Sequence, residues 1–177
     1  MPPNFTRVKV EDEFIIPFKG LGVGNHTFKF EIEKEFFDSF EYFEDVSGSA
    51  KVDVELLRES NMLIFEFAIE GDLSLKCDRC LGFFDHKIKA LNKLIIKFGD
   101  KFLEESEDVM VIPVNENRID LKQYIFEYIS LQLPFKKSHP IDKDGFIDCD
   151  PDIIDRINEY SKPTADPRWD ALKDIEL

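Results

Sequence analysis

The chain has 177 residues, 43 % of them hydrophobic, which is enough for one domain with a real core. A net charge of -14 argues against a simple electrostatic nucleic-acid binder and suits a basic protein partner, or solubility alone. Three cysteines are too few, and odd in number, for a secreted disulfide framework, and no apolar run reaches the roughly 18 residues a membrane span needs, so a soluble cytoplasmic chain is expected.

Phe14 to Phe18 reads as a short edge strand, because Pro17 cannot donate to a ladder. Gly20, Gly22 and Gly24 mark a loop. From His26 to Glu33, Phe28, Phe30 and Ile32 alternate with Lys29, Glu31 and Glu33, the pattern of a half-buried strand. The aromatic, acidic stretch Glu35 to Asp45 reads as a capping segment whose rings plug a sheet. A hairpin follows, with Val52, Val54 and Leu56 opposite Leu63, Phe65, Phe67 and Ile69 across a polar Glu59-Ser60-Asn61 turn. Gly71-Asp72 is expected to turn the chain again. Phe84 to Phe98 predicts one long strand with a bend or bulge within it.

Residues 100–118 read as a polar connection with an apolar patch at Val109 to Val114. Then the period changes: Leu121, Tyr124, Ile125, Tyr128 and Ile129 follow helical spacing. Asp120 supplies a cap, Gln123 occupies the capping-box position and Pro134 provides a stop. Asp150-Pro151 and Asp166-Pro167 each place a capping oxygen before a proline at a helix start. Trp169, on the second of these short helices, is expected to dock on the body of the protein. Strands first and helices last predict an α+β fold. Its antiparallel, strongly bent sheet comes from the N-terminal two-thirds, with C-terminal helices packed on it. A single domain is expected over 1–177, with strands mainly in 1–100 and helices mainly in 119–177.

Cys77-Asp78-Arg79-Cys80 is the chemically distinctive string. As a redox pair it should open a helix, whose N-terminus lowers one thiol's pKa, but the residues after it read as a strand. As half a zinc site it supplies two thiolates, and His139 and Cys149 are the obvious partners for a Cys₃His set. As a plain turn it needs no metal, and the zinc and metal-free readings both stay open. Residues 142–148 look superficially like a calcium loop, but aligning Gly145 to the invariant glycine puts Pro140 and Pro151 at ligand positions. His26 and His86 have no partner constellation; His86 reads as a satisfied core or rim residue. Residues 76–101 hold seven Lys or Arg against three Asp. Within them Lys87, Lys89, Lys93 and Lys97 share one strand face; a solvated face is the first explanation for them, and they are also the one stripe suited to touch phosphates. No nucleophile elbow or phosphate loop is present, so no catalytic residue is assigned.

Three ordered segments resemble the bacterial YceD family, the large ribosomal RNA subunit accumulation proteins. The first runs from Phe14 to His26 and on through a strand ending in Glu35-Phe36-Phe37. The second is Leu75-Lys76-Cys77-Asp78-Arg79-Cys80-Leu81. The third runs from Asp120 to Pro134, with Asp166 to Leu172 near the end. Many relatives carry a cysteine-rich cluster after the helix and its Leu-Pro. Here Lys136-Lys137-Ser138-His139-Pro140 and a single Cys149 stand in its place, so the resemblance is to a variant lacking most of that cluster. The resemblance implies a non-enzymatic role in large-subunit ribosome biogenesis. The expected partner is the large-subunit precursor, through ribosomal RNA or a basic ribosomal protein, with no membrane and no small-molecule substrate. The alternatives from the residues are an acidic module for a basic protein, and a thiol redox protein using Cys77 and Cys80.

Overall fold

A computed structural model describes residues 14–43, 45–141, 148–161 and 168. Six strands form the main sheet: β2 (Gly24–Ile32), β3 (Val46–Arg58), β4 (Met62–Lys76), β5 (Phe83–Gly99), β6 (Leu103–Ser106) and β7 (Val109–Pro113). Their order across the sheet is β2-β3-β4-β5-β7-β6. A two-stranded ladder joins β1 (Ile15–Ile16) to β8 (Ile119–Asp120). The helices are α1 (Lys34–Asp38), α2 (Lys122–Ser130) and α3 (Pro151–Tyr160). The fold is α+β, as the order of periodicities predicts.

Alternation explains the sheet. Val52, Val54 and Leu56 on β3 and Leu63, Phe65, Phe67 and Ile69 on β4 are all buried, while the residues between them face outward. The register pairs Val54 with Phe67 and Leu56 with Phe65, so a slip of one residue would turn every one of these side chains to water. The inner face is covered by rings. Phe36 and Phe37 of α1 are buried, and Phe40 stacks on Phe126 of α2 at 3.8 Å between centroids. Tyr128 of α2 meets Phe67 edge-on at 5.1 Å. The aromatic stretch after β2 is therefore a plug for the sheet.

Three local expectations need correction. Gly71 does not turn the chain: β4 continues through it to Lys76. Gly71 faces Ala50 across the ladder, where a side chain would run into the Ser49 carbonyl and the Ala50 side chain, so glycine here permits close strand approach. β5 runs unbroken from Phe83 to Gly99, and its in–out alternation keeps one phase from Phe84 to Phe98. Residues 100–118 are not merely a connection: they supply β6 and β7, and β7 pairs with β5 in parallel, so the sheet is mixed rather than purely antiparallel. Asp120 Oδ1 does accept from the Lys122 N–H at 2.8 Å, but Gln123 reaches forward to Glu127 instead of back to a cap.

The chain divides into two compact units. One comprises residues 1–75 with 85–137, and the other residues 76–84 with 138–177. The second contains the Cys77–Cys80 turn, His139, Cys149 and α3. Asp150 caps α3 through Asp152 N–H at 2.9 Å, with Pro151 at the first helical position. Ile153, Ile154 and Ile157 are half-buried along one side of α3, and Tyr160 is exposed. The Asp166-Pro167 start, Trp169 and most of the calcium-like loop lie outside the described residues.

Candidate metal centre

The turn between β4 and β5 is built by two backbone bonds. Cys77 N–H donates to the Gly82 carbonyl at 2.8 Å, and Leu81 N–H donates to the Cys77 carbonyl at 2.9 Å. These bonds curl the chain so that Cys77 and Cys80 turn their sulfurs to the same side. The Arg79 N–H points at Cys77 Sγ, 3.4 Å away. Later in the chain, His139 and Cys149 bring a third sulfur and an imidazole to the same place.

Cys77 Sγ lies 3.9 Å from Cys149 Sγ. His139 Nδ1 lies 3.5 Å from Cys80 Sγ and 3.4 Å from Cys149 Sγ. All four ligand atoms fall within 4.8 Å of one another, and all four residues are buried. A disulfide needs sulfurs about 2.05 Å apart, so the Cys77–Cys149 separation is not a bridge, and the three cysteines are free thiols. Tetrahedral zinc holds sulfur at about 2.3 Å and imidazole nitrogen at about 2.0–2.1 Å, which sets ligand atoms about 3.8 Å apart for sulfur–sulfur and about 3.6 Å for sulfur–nitrogen. Three of the six separations, 3.4 to 3.9 Å, lie close to the edges of that tetrahedron. The residues fit a closed Cys₃His metal site.

The electrostatics agree with the geometry. Burial acts to raise the Cys77 thiol pKa, but the backbone N–H groups of Cys80, Arg79 and His139 oppose it and bring the group below its usual value. Burial, with the neighbouring Cys80 and Cys77 sulfurs, holds Cys149 above its usual value. One thiolate is favoured and the next is resisted by the first. A cation at the centre of the four ligands would remove that repulsion. The Phe84 ring packs against His139 with centroids 5.3 Å apart and walls the site on one side.

The residues after Cys80 lead into β5, not into a helix, so the pair lacks the helix N-terminus that activates a dithiol for redox work. His86 Nε2 lies 3.3 Å from the Gln132 carbonyl, a satisfied rim residue as its position on the apolar face suggests. His26 Nε2 lies 2.8 Å from the Gly22 carbonyl in its own loop.

Lys87, Lys89, Lys93 and Lys97 are exposed and share the outer face of β5. They do not form a bare cationic stripe. Lys89 pairs with Glu70, Lys93 with Glu66 at 3.7 Å and Lys97 with Glu105 at 2.6 Å. The row continues across the sheet, where Glu31 stands opposite Lys51 and Lys51 opposite Glu70. The face is thus a ladder of alternating charge.

The sequence singled out the four residues that the structure brings together in this buried cluster. It did not reveal the Phe84 wall or the amide donors around Cys77, because both depend on how the chain closes around the turn. Among the described residues, no helix is long and apolar enough to cross a membrane. No curated protein and no solved structure matches the chain significantly. The family model of the large ribosomal RNA subunit accumulation protein YceD matches residues 65–176, a span that takes in Cys77, Cys80, His139 and Cys149, and the chain belongs to that family.

Proposed function

We propose that this protein is a cytoplasmic, non-enzymatic factor in large-subunit ribosome biogenesis that supports accumulation of large-subunit ribosomal RNA. The match of the family model over 65–176 is the observation that carries this reading. Zinc is the cofactor that suits its site. Three buried thiols and one imidazole with their ligand atoms within 4.8 Å of one another supply four protein ligands, the number of a structural ion and not of a catalytic one. The ion would tie the Cys77–Cys80 turn to His139 and Cys149 and supply stability that so small a unit cannot draw from apolar burial alone.

The partner is the large-subunit precursor. If RNA is contacted directly, Lys87, Lys89, Lys93 and Lys97 are the face for it, since their exposed ion pairs are weak enough for phosphate oxygens to compete. Contact with a basic ribosomal protein is a second reading, favoured by the carboxylates that pair with those lysines and by the net charge of -14. Depletion of the protein followed by gradient sedimentation tests the central reading. Large-subunit particles and their RNA should fall relative to the small subunit; an unchanged ratio would overturn it.

A further inference from the structure

The four ligand residues are also the inside of the unit that carries them. Among the described residues of that unit, 76–84, 138–141, 148–161 and 168, only Cys77, Cys80, Phe84, His139 and Cys149 are buried. α3 contributes no buried side chain. With so little apolar burial to hold the unit closed, loss of a metal from this centre opens its thiols to solvent. Two of the sulfurs then stand ready to react with each other. Cys77 Sγ and Cys149 Sγ are 3.9 Å apart, from positions 72 residues apart in the chain, and need to close by about 1.9 Å to reach the length of a disulfide. A bridge between Cys77 and Cys80 would instead have to form inside a turn whose shape is already fixed. Two backbone bonds close that turn, and they hold Leu81 at a φ of 60°, a left-handed value that an L-residue keeps only where its surroundings impose it. Such a turn has little freedom left to reshape around a second ring.

We propose that Cys77 and Cys149 are a reversible disulfide pair, joined when the centre has lost its metal and meets a hydroperoxide. The inference rests on the reading of the cluster as a metal centre, and it names what regulates that centre. Two thiols and one hydroperoxide, ROOH, give the disulfide, the alcohol ROH and water. One thiol sulfur attacks the terminal peroxide oxygen, the O–O bond breaks, and ROH leaves with the thiol proton. The second sulfur then displaces the oxygen of the resulting sulfenic acid, which departs as water with the second thiol proton. The two sulfurs are oxidised and the peroxide is reduced. A disulfide sulfur is no longer a thiolate ligand, so the oxidised centre keeps only Cys80 and His139 and does not hold zinc. Metal and disulfide therefore exclude each other, while each ties the Cys77–Cys80 turn to the segment that carries Cys149. The bridge lasts until a small thiol reduces it, as in any compartment that keeps its thiols reduced.

The full chain is compared in three states: loaded with zinc, stripped with a chelator, and stripped then treated with hydrogen peroxide. The stripped chain should lose the mass of two hydrogen atoms on treatment, and peptide mapping without reductant should join the peptides of Cys77 and Cys149. The zinc-loaded chain should react about tenfold more slowly or less. A thiol reductant should restore both the mass and the capacity for zinc. Amide exchange across 76–84 should be about tenfold slower in the oxidised chain than in the stripped, reduced one, because the bridge takes over from the ion. Cys80→Ser should still form the bridge, and Cys149→Ser should lose no hydrogen. A Cys77–Cys80 bridge, cross-linked dimers, over-oxidised cysteines in place of the bridge, or equal reaction of loaded and stripped chains would each overturn the pair. Zinc uptake by the reduced chain is read separately. A chain that binds zinc but never joins Cys77 to Cys149 defeats this inference and leaves the metal centre standing. A reduced chain that takes up no zinc defeats the metal centre itself, and with it the exclusion of metal by disulfide.

Discussion

Tyr128 packs its ring against Phe67, but its hydroxyl is buried without a hydrogen-bond partner. A buried orphan hydroxyl costs about 1–3 kcal/mol, so Tyr128→Phe should leave stability unchanged or raise it by about 1 kcal/mol, read as the urea midpoint at constant slope. The same residue predicts an alkaline signature. Burial, with smaller contributions from the charges of Asp108, Tyr124 and Glu127, pushes the Tyr128 hydroxyl up to about 12. The unfolded chain loses this proton near pH 10 and the folded chain keeps it to about 12, so Tyr128 makes stability fall as pH rises through that window. Comparing wild type with Tyr128→Phe should show a smaller fall in the variant; identical slopes would contradict the assignment. At the metal centre, Cys149→Ser should remove the third sulfur and abolish tight zinc binding, detectable as metal lost on dialysis. Residue types were legible at this scale because thiols and imidazoles advertise metal chemistry wherever they stand. Leu81 was not, since nothing in a leucine's identity announces a left-handed backbone; the ring closed by Cys77 and Gly82 creates it.

The β3–β4 hairpin shows what periodicity tells and what it leaves out. Alternating Val, Leu, Ile and Phe fixed which face is buried, and the observed register agrees. The glycines misled, because a Gly-Asp pair carries the same signal whether it bends a chain or lets two strands touch. Gly48 has a φ of 129° and abuts the Asp72 carbonyl, so Gly48→Ala combines a backbone penalty with a clash. It should cost about 2 kcal/mol or more in chemical denaturation. A loss below about 0.5 kcal/mol would mean that the strands separate more easily there than the geometry implies. β7 was hidden for another reason: a short apolar run gives no periodicity, and its place beside β5 depends on pairing over distance. On the outer face, the even spacing of Lys87, Lys89, Lys93 and Lys97 was visible, but not the carboxylates opposite them, which come from β4 and β6. Charge reversal at all four lysines should lower the salt-sensitive part of any association with ribosomal particles. Unchanged association would remove this face as an RNA contact.

For the whole molecule, the class of fold followed from the order of periodicities, whereas the two compact units did not. The second unit is assembled from a nine-residue turn and a C-terminal segment far away in sequence. Only the long-range meeting of Cys77, Cys80, His139 and Cys149 makes that grouping visible, and no local signal reports it. The first unit has its own aromatic and aliphatic core, while α3 in the second has no fully buried residue. Chelation should therefore loosen residues 76–84 and 138–161 first, seen as faster amide exchange there while β3 and β4 stay protected. Uniform exchange throughout the chain would contradict this order. The most direct test of the account is the zinc content of protein purified without a metal-binding tag. About one zinc per chain, lost in Cys77→Ser and in Cys149→Ser, is the predicted result. Less than about 0.2 zinc per chain, with folding indifferent to a chelator, would contradict it.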